Sequence, residues 1–482
     1  STVSRNHAVL TRYDDGSWTL TDASSKTGTW VNGEKVNICA IHPGDKISIG
    51  GVDMELVPIT KRQEQLQSQL RTRGSGPISS IFGLILLTLL QAAMLMGFLL
   101  SGVEEEYPSY VLGFCSVAIC QWGLFLFYAV IHRSSFEVET LAFFLCTLGM
   151  AAIATVKPGE ILKQAAAMVL GVLTFLLIGW SLRDLERAKR CRYLAVLLGV
   201  GFLVITLLFG REYYGAKNWL VIGGLSLQPS ELSKVCFVYA GASTMDRIMN
   251  KRNLILFIAY SVVICGLLAL MNDFGTAMIF FCAFLIIAYL RSGSVGTIAL
   301  ACTALGFAGV LAIRIAPHAL NRFATWRHIW ENPYSSGYQQ TQAIMCIASG
   351  GLFGLGAGKG FLQKVFAADS DIVFATISEE WGLLLALLAV LAVAALGFFA
   401  IRTSRVSRSS FYCIGGCTAA GILLIQAALN CLGTVDILPF TGVTFPFLSN
   451  GGTSMIGAWG LLAFVKAADT RQNASFAVRY TK

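Results

Sequence analysis

Charge is scarce in this chain: Asp, Glu, Lys and Arg make up 13% of its 482 residues, against 55% hydrophobic, and the mean hydropathy is +0.66. Ordinary globular domains carry about 25% charged residues, so a soluble globular chain is excluded. Histidine is also rare, with five scattered copies, and no Cys/His cluster has zinc spacing, so no metal site is expected. The 13 cysteines do not read as a disulfide framework, because Cys115, Cys146, Cys265, Cys282 and Cys302 fall inside apolar runs where a thiol is a small hydrophobe. Gly358-Lys359-Gly360 lacks the spacing and the following Ser or Thr of a phosphate-binding P-loop. No cleavable signal sequence is expected, and because the chain starts at Ser1 without methionine, further residues are expected upstream.

What is present is a succession of apolar runs near the ~20 residues that cross a bilayer. They begin at Pro77, Tyr110, Thr140, Leu162, Tyr193, Leu254, Gly275, Gly296, Leu383, Ser410 and Ser454, with a weaker one near Pro229. None alternates as a barrel strand would, and backbone polar groups in lipid must be satisfied within the segment, so these runs predict about twelve transmembrane helices. Basic residues cluster at alternate loops: Lys61, Arg62, Arg71 and Arg73; then Arg183 to Arg192; then Arg247, Lys251 and Arg252; then Arg291; then Arg402, Arg405 and Arg408. By the positive-inside rule both termini are cytoplasmic, the Glu104-Glu105-Glu106 loop is outside, and so is the long segment 317–381. These flanks account for the net charge of +9, leaving no basic excess that calls for nucleic acid.

Residues 1–58 are different: polar, with strand-like alternation in WTLTD, KISIG and VDMELV, and turn signals at DDG, NGE and PGD. Ser4-Arg5-Asn6-His7, Ser24-Ser25-Lys26-Thr27-Gly28-Thr29-Trp30-Val31-Asn32-Gly33, Gly44-Asp45 and Ile49-Gly50 together resemble a forkhead-associated (FHA) domain. That resemblance implies a small all-β sandwich that binds a phosphothreonine protein, with Ser4 and Arg5 at the phosphate, Ser25 and Thr27 beside it, and His7 steadying the loop. Hydroxyls and a guanidinium suit a phosphate dianion. Thr27 stands where the family has Asn, and the first strands and a Gly-Arg loop are expected before Ser1, so the domain is N-terminally incomplete. Residues 59–76, rich in Gln, Arg and Gly, read as a cytoplasmic linker.

Polar residues in or beside apolar spans are costly and are functional candidates by default. Four clusters qualify. The first runs from Lys217, Asn218 and Trp219 to Gln228-Pro229-Ser230-Glu231-Leu232-Ser233-Lys234, placing a carboxylate at a helix N-terminus. The second is Asn272-Asp273. The third is the segment 317–381, with Tyr338-Gln339, the glycine series around Lys359, and Asp371 to Gly382. The fourth is Thr441 to Ser454, with Pro446, Ser449, Gly451 and Gly452. Each also has a structural explanation: a helix cap, a satisfied turn, or glycines at close helix contacts.

In this order, from about Ala195 to the C-terminus, the clusters closely resemble the SEDS family (FtsW, RodA and SpoVE). The resemblance implies an all-α polytopic membrane domain over 77–470 with a cytoplasmic tail over 471–482. It also implies a peptidoglycan glycosyltransferase that polymerises lipid II at the outer face, in division, elongation or sporulation, with a class B penicillin-binding protein as partner. No cofactor is implied, and a divalent cation is left open. Family proteins have about ten spans, so the first two here look like additions.

Among the site residues the resemblance supplies, Lys217, Trp219, Gln228, Glu231, Lys234, Asp273, Tyr338, Gln339, Lys359, Pro446, Ser449, Gly451 and Gly452 contact substrate. Asp371 and Glu379 or Glu380 match family positions, although Val365-Phe366-Ala367 replaces the usual Leu-Pro-Glu. The proposed base of the family is an Asp before Pro in a motif like Asp-Pro-x-x-x-Gly-Tyr-Gln, and aligning Pro333, Gly337, Tyr338 and Gln339 puts Asn332 there. An amide cannot accept the proton. Glu331, one position earlier, is a substitute. Lipid II flipping, and a non-catalytic scaffold that couples phosphothreonine signals to wall synthesis, are the alternatives.

Overall fold

The computed structural model describes residues 4, 7–12, 17–55, 77–101, 104–213, 215–222, 225–245, 251–296, isolated positions to 306, 322–407, 409–471 and 474–477. Two compact units separate at Thr72 and Arg73.

The N-terminal unit is built from antiparallel strands in two sheets. One orders β1 (Ala8–Arg12), β2 (Trp18–Asp22) and β5 (Ile38–Ile41) as β1-β2-β5; the other orders β3 (Thr29–Val31), β4 (Glu34–Val36), β6 (Lys46–Ile49) and β7 (Val52–Glu55) as β4-β3-β6-β7. Leu20, Val31, Ile41 and Ile47, one from each of four strands, form its small core. Asn32 and Gly33 take φ of 52° and 86°, the left-handed pair that a two-residue hairpin loop between Val31 and Glu34 requires.

The second unit is helical. Its long helices are α1 (Pro77–Ser101), α2 (Tyr107–Val130), α3 (Glu137–Val156), α4 (Ile161–Leu182), α5 (Arg192–Phe209), α6 (Pro229–Met245), α7 (Lys251–Leu270) and α8 (Phe274–Ser292). After two shorter helices, α9 (Tyr338–Gly350) and α10 (Val373–Trp381), come α11 (Leu383–Ser404), α12 (Ser410–Thr434) and α13 (Gly452–Ala468). Among the described residues nine helices are long and apolar enough to cross a membrane, and α13 is a shorter apolar helix; α6 is equally short and carries Glu231 and Lys234. The span expected from Gly296 lies largely outside the described residues, as does the linker 59–76. Several helices start one to three residues before the apolar run does, because the first turn carries polar groups: Glu137 and Glu139 lead α3, and Asp273 caps α8 by accepting from the Thr276 N–H at 3.1 Å.

Two segments read as loops are ordered. Residues 211–227 form a three-stranded antiparallel meander, β8 (Arg211–Tyr213), β9 (Ala216–Ile222) and β10 (Leu225–Leu227). The long segment before α11 folds around its own core of Ala343, Cys346, Leu362, Val365, Ala368, Ile372 and Ala375. Its helices are too short for their periodicity to stand out against surrounding polar residues.

Charges inside the bundle are paired. Glu139 on α3 and Lys466 on α13 are 0% and 1% exposed and meet at 3.0 Å, with the Tyr128 hydroxyl donating to Glu139 at 2.7 Å. Glu231 and Lys234, one turn apart on α6, meet at 2.6 Å and are buried. A close approach joins the turn before α13 to the bundle: a Cβ at Gly149 would lie 2.4 Å from the Leu448 carbonyl oxygen, so α3 and residues 445–449 touch only because that position is glycine.

Candidate functional site

Helix order places the end of α3, the β8–β10 meander, the start of α8, the segment before α11 and the turn between α12 and α13 at one end of the bundle. Hydrogen bonds then draw these pieces together around residues 369–371. Asp369, 1% exposed, takes the Lys157 ammonium at 3.1 Å and the Asn450 side-chain amide at 2.6 Å, and the same amide reaches Glu160 at 2.7 Å. Ser449 Oγ donates to the Ser370 carbonyl at 2.6 Å, and Asn430 Nδ2 donates to the Asp371 carbonyl at 2.9 Å and to Val443 at 2.8 Å. Gln164 closes the ring, bonding the Ser449 carbonyl and the Gly451 N–H, each at 3.3 Å.

Asp371 sits half-buried within this clasp, beside Gly442. Desolvation pushes its carboxyl up from an ordinary 3.8 to about 7, against a bond from Ser370 and the charges of Arg322 and Lys157, and with the help of Asp369. Arg322 donates to the Thr441 carbonyl at 2.9 Å, so a guanidinium is fixed at the same rim.

Glu379 and Glu380 do a different job. Glu379 accepts the N–H groups of Phe361 and Leu362 at 2.8 and 3.0 Å; Glu380 accepts the Thr155 hydroxyl at 2.6 Å and the N–H groups of Gly358 and Gly360 at 3.3 Å. Both carboxylates are spent holding the glycine series in shape. Burial raises Glu380 to about 7 as well, partly offset by its bond from Thr155. Gly354, at φ 84°, could not carry a side chain: its Cβ would lie 2.2 Å from the Glu380 carbonyl oxygen. Replacing Glu379 with Ala leaves the buried Leu362 N–H and the part-buried Phe361 N–H without an acceptor and is expected to cost about 2 kcal/mol, read as a lowered unfolding midpoint of the purified protein.

The meander completes the rim. The Lys217 N–H donates to the Met271 carbonyl at 2.9 Å, Asn218 Nδ2 to Asp273 at 3.2 Å, and the Gln228 N–H to Thr453 Oγ1 at 3.0 Å. So the first and second sequence clusters are joined through Asn218 and Asp273, Gln228 reaches Thr453 beside Gly452 of the fourth, and Gly275, two residues past Asp273, packs against Thr441 and Val443. Pro446 is buried in the turn that precedes α13. Glu231 and Lys234 are turned toward each other inside the bundle rather than toward the rim.

Asn332 is exposed at the end of a single helical turn, where its carbonyl accepts from the Ser335 and Gly337 N–H groups at 3.3 and 3.1 Å. Glu331 is exposed and bonded to His328 Nδ1 at 3.0 Å. Tyr338 and Lys359 are exposed, and Gln339 Nε2 is tied to the Phe366 carbonyl at 2.8 Å. In the N-terminal unit, Ser4 Oγ accepts the Lys26 N–H at 3.0 Å, whereas Ser25 Oγ donates to Asp22 at 2.6 Å and accepts from Gly28 at 3.0 Å, leaving it committed to the loop. Thr27 is exposed, His7 bonds the Gly28 carbonyl at 3.0 Å, and Arg5 lies outside the described residues.

Sequence reasoning missed Lys157, Glu160, Gln164 and Asp369. The Lys157-Pro158-Gly159-Glu160 turn between two apolar runs, and the Asp369-Ser370-Asp371 spacing, were the available signals. Among the described residues no group of three or more acidic, Cys or His side chains forms a metal site.

Comparison with known proteins adds an independent line. Residues 121–474 match the cell cycle protein family model of FtsW, RodA and SpoVE, and residues 1–50 match the FHA domain. The peptidoglycan glycosyltransferase RodA of Mycobacterium tuberculosis is 30% identical over 325 residues, covering 63% of this chain and 69% of that protein. The probable peptidoglycan glycosyltransferase FtsW of Bacillus subtilis is 30% identical over 396 residues, 75% of this chain and 92% of that one. Two solved structures share the fold. One is a chain of a peptidoglycan synthase complex that coordinates polymerization and crosslinking, with TM-score 0.58, 24% identity, and coverage of 69% of this chain and 96% of that one. The other is the rod shape determining protein RodA of Thermus thermophilus, with TM-score 0.52, 23% identity, and coverage of 69% and 95%.

Proposed function

The chain belongs to the FtsW, RodA and SpoVE family, and we propose on that basis that it is a peptidoglycan glycosyltransferase polymerising lipid II at the outer membrane face. What carries the site assignment is the placement of Asp371, a carboxyl that desolvation pushes up to about 7, at a rim shared by five of the bundle's connections. In the reaction a sugar hydroxyl attacks the anomeric carbon of a second lipid-linked sugar. The new C–O bond forms as the bond to the polyprenyl pyrophosphate breaks, the leaving group keeps the electron pair, and the hydroxyl proton passes to Asp371. A base with a pKa near the working pH is the most effective kind. Arg322 and Lys217 at the rim, with the exposed Lys359, supply cations for the pyrophosphate. This assignment moves the proton acceptor from Glu331, which is solvated and bonded to His328, to Asp371. Asn332 shapes the turn.

The decisive experiment is polymerisation of lipid II by the purified chain, with and without its cognate class B penicillin-binding protein. Elongated glycan in either condition supports the reading. A chain that binds lipid II without turnover in both is a scaffold, the reading that Asn332 favours.

The chain is a multi-pass membrane protein. Its orientation follows from the basic loops: the site rim faces outward, and residues 1–58 face the cytoplasm, where a phosphothreonine protein would meet Ser4 and Arg5. An impermeant thiol reagent on intact cells is expected to label Cys introduced at exposed Ser336 and not at Ser17. The opposite pattern would overturn the topology.

The region that matches the family begins at residue 121, after α1 and within α2, and this pair is read as the addition to the family's plan. Polar side chains join the two helices to each other, Gln91 Nε2 donating to Gln121 at 3.0 Å and Gln121 to Thr88 at 2.9 Å, and to α3, Gln91 Nε2 donating to Thr147 at 3.0 Å. At its far end α1 props the glycine series, with Ser101 Oγ bonded to the Ala357 carbonyl at 2.7 Å and Phe98 against Trp381, ring centroids 5.9 Å apart.

A further inference from the structure

At the end of the bundle opposite the site, a cavity of about 260 Å³ opens between the last turns of α2 and α4. Its lining is about half polar: Phe127, Ile131, Leu176 and Phe476 supply the apolar part, and Trp180, Arg133 and Arg183 the rest. The surroundings favour an anion. Arg187 stacks over the Trp180 ring at 4.0 Å and donates to the Trp180 carbonyl at 3.2 Å, covering the negative end of α4. Of the acids on this side, Glu137 and Asp469 bond to Arg471 at 2.6 and 2.9 Å, Asp184 accepts the Glu186 N–H at 3.0 Å, and exposed Glu186 lies 3.9 Å from Arg190. Arg183 is exposed and makes no ion pair among the described residues.

The volume falls just short of the ~300 Å³ at which small-molecule pockets begin, so it suits a headgroup rather than a whole amphiphile. The rest of the ligand has a track to follow: Leu170, Leu173 and Leu177, exposed at helical spacing on one face of α4, lead up to Trp180. An apolar track ending in an aromatic ring and two guanidiniums, at the level where a span leaves the hydrocarbon, matches one acyl chain and a phosphate. We propose that this cavity binds the phosphate of an anionic phospholipid of the inner leaflet, with Arg183 and Arg133 on the headgroup and Trp180 at the glycerol level. The leaflet rests on the orientation proposed above. The lipid preference does not, so thiol labelling and lipid binding fail separately.

The test uses the full chain in phosphatidylcholine nanodiscs containing a small fraction of nitroxide-labelled lipid, either phosphatidylglycerol or phosphatidylcholine. Quenching of Trp180 is obtained by difference from Trp180→Phe. The labelled phosphatidylglycerol is expected to quench Trp180 several-fold more strongly at equal mole fraction. Arg183→Gln is expected to reduce that preference about fivefold, and Arg183→Lys to keep most of it, which separates loss of charge from misfolding. Equal quenching by the two lipids, or an undiminished preference in Arg183→Gln, would overturn the proposal. So would erasure of the preference by millimolar inorganic phosphate, because the site would then be one for a soluble anion.

Discussion

Asp371→Asn is expected to slow lipid II polymerisation by about 10²- to 10⁴-fold, the range a positioned base contributes. Two further readouts separate this from damage to the fold. The rate of the unaltered protein should rise with pH through about 7 and level off above it, since the base acts in its ionised form, and this rise should vanish in the variant. Stability should move the other way. The folded Asp371 holds its proton to about 7 and the unfolded one only to about 3.8, so the stabilisation from that proton is complete below about 3.8 and is lost as the pH rises through 7. Above pH 7 the ionised, poorly solvated carboxylate is a burden that Asn removes, and Asp371→Asn should unfold at a higher temperature while being nearly inactive. Asn332→Asp adds a second carboxylate at the exposed turn and is expected to raise the rate; Glu331→Gln should leave it nearly unchanged. A Glu331→Gln variant without activity would return the proton-acceptor role to Glu331.

The largest loss of stability is expected from Glu139→Ala. It leaves the Lys466 ammonium, 1% exposed, with the Ser135 carbonyl at 2.9 Å as its remaining acceptor and removes the acceptor of the Tyr128 hydroxyl. An uncompensated buried charge costs about 3–5 kcal/mol, which equilibrium unfolding in micelles would report. Replacing both members, Glu139→Gln with Lys466→Met, should recover most of that loss, because the expense lies in the lone charge rather than in the missing pair. If the single and double variants are equally unstable, the packing of α3 against α13 matters there and the ion pair does not.

Both predictions turn on residues the sequence treats unevenly. Lys466 is one cation in an apolar run, and Glu139 opens another run more than three hundred positions earlier; nothing in either stretch announces the other. Asp369 and Lys157 are separated in the same way. Lys234 and Glu231 are three apart in a helical stretch, and there the pairing could have been read directly.

The sequence alone determined the class of the molecule. Twenty-residue apolar runs without strand alternation satisfy their backbone in lipid as helices, and Asn32-Gly33 in its alternating context reads as a hairpin turn. These are local properties, each written in fewer than thirty consecutive residues. Tertiary structure decided what the polar residues do. It turned Glu379 and Glu380 into anchors for backbone N–H groups and Glu231 into a buried partner, and it left Asp371, raised to about 7 like Glu380, as the carboxyl at the rim that is not committed to the glycine series. Desolvation and hydrogen bonding depend on neighbours brought from Lys157, Arg322, Asn430 and Gly442, and no spacing rule within one segment encodes which distant segments will surround a given carboxylate.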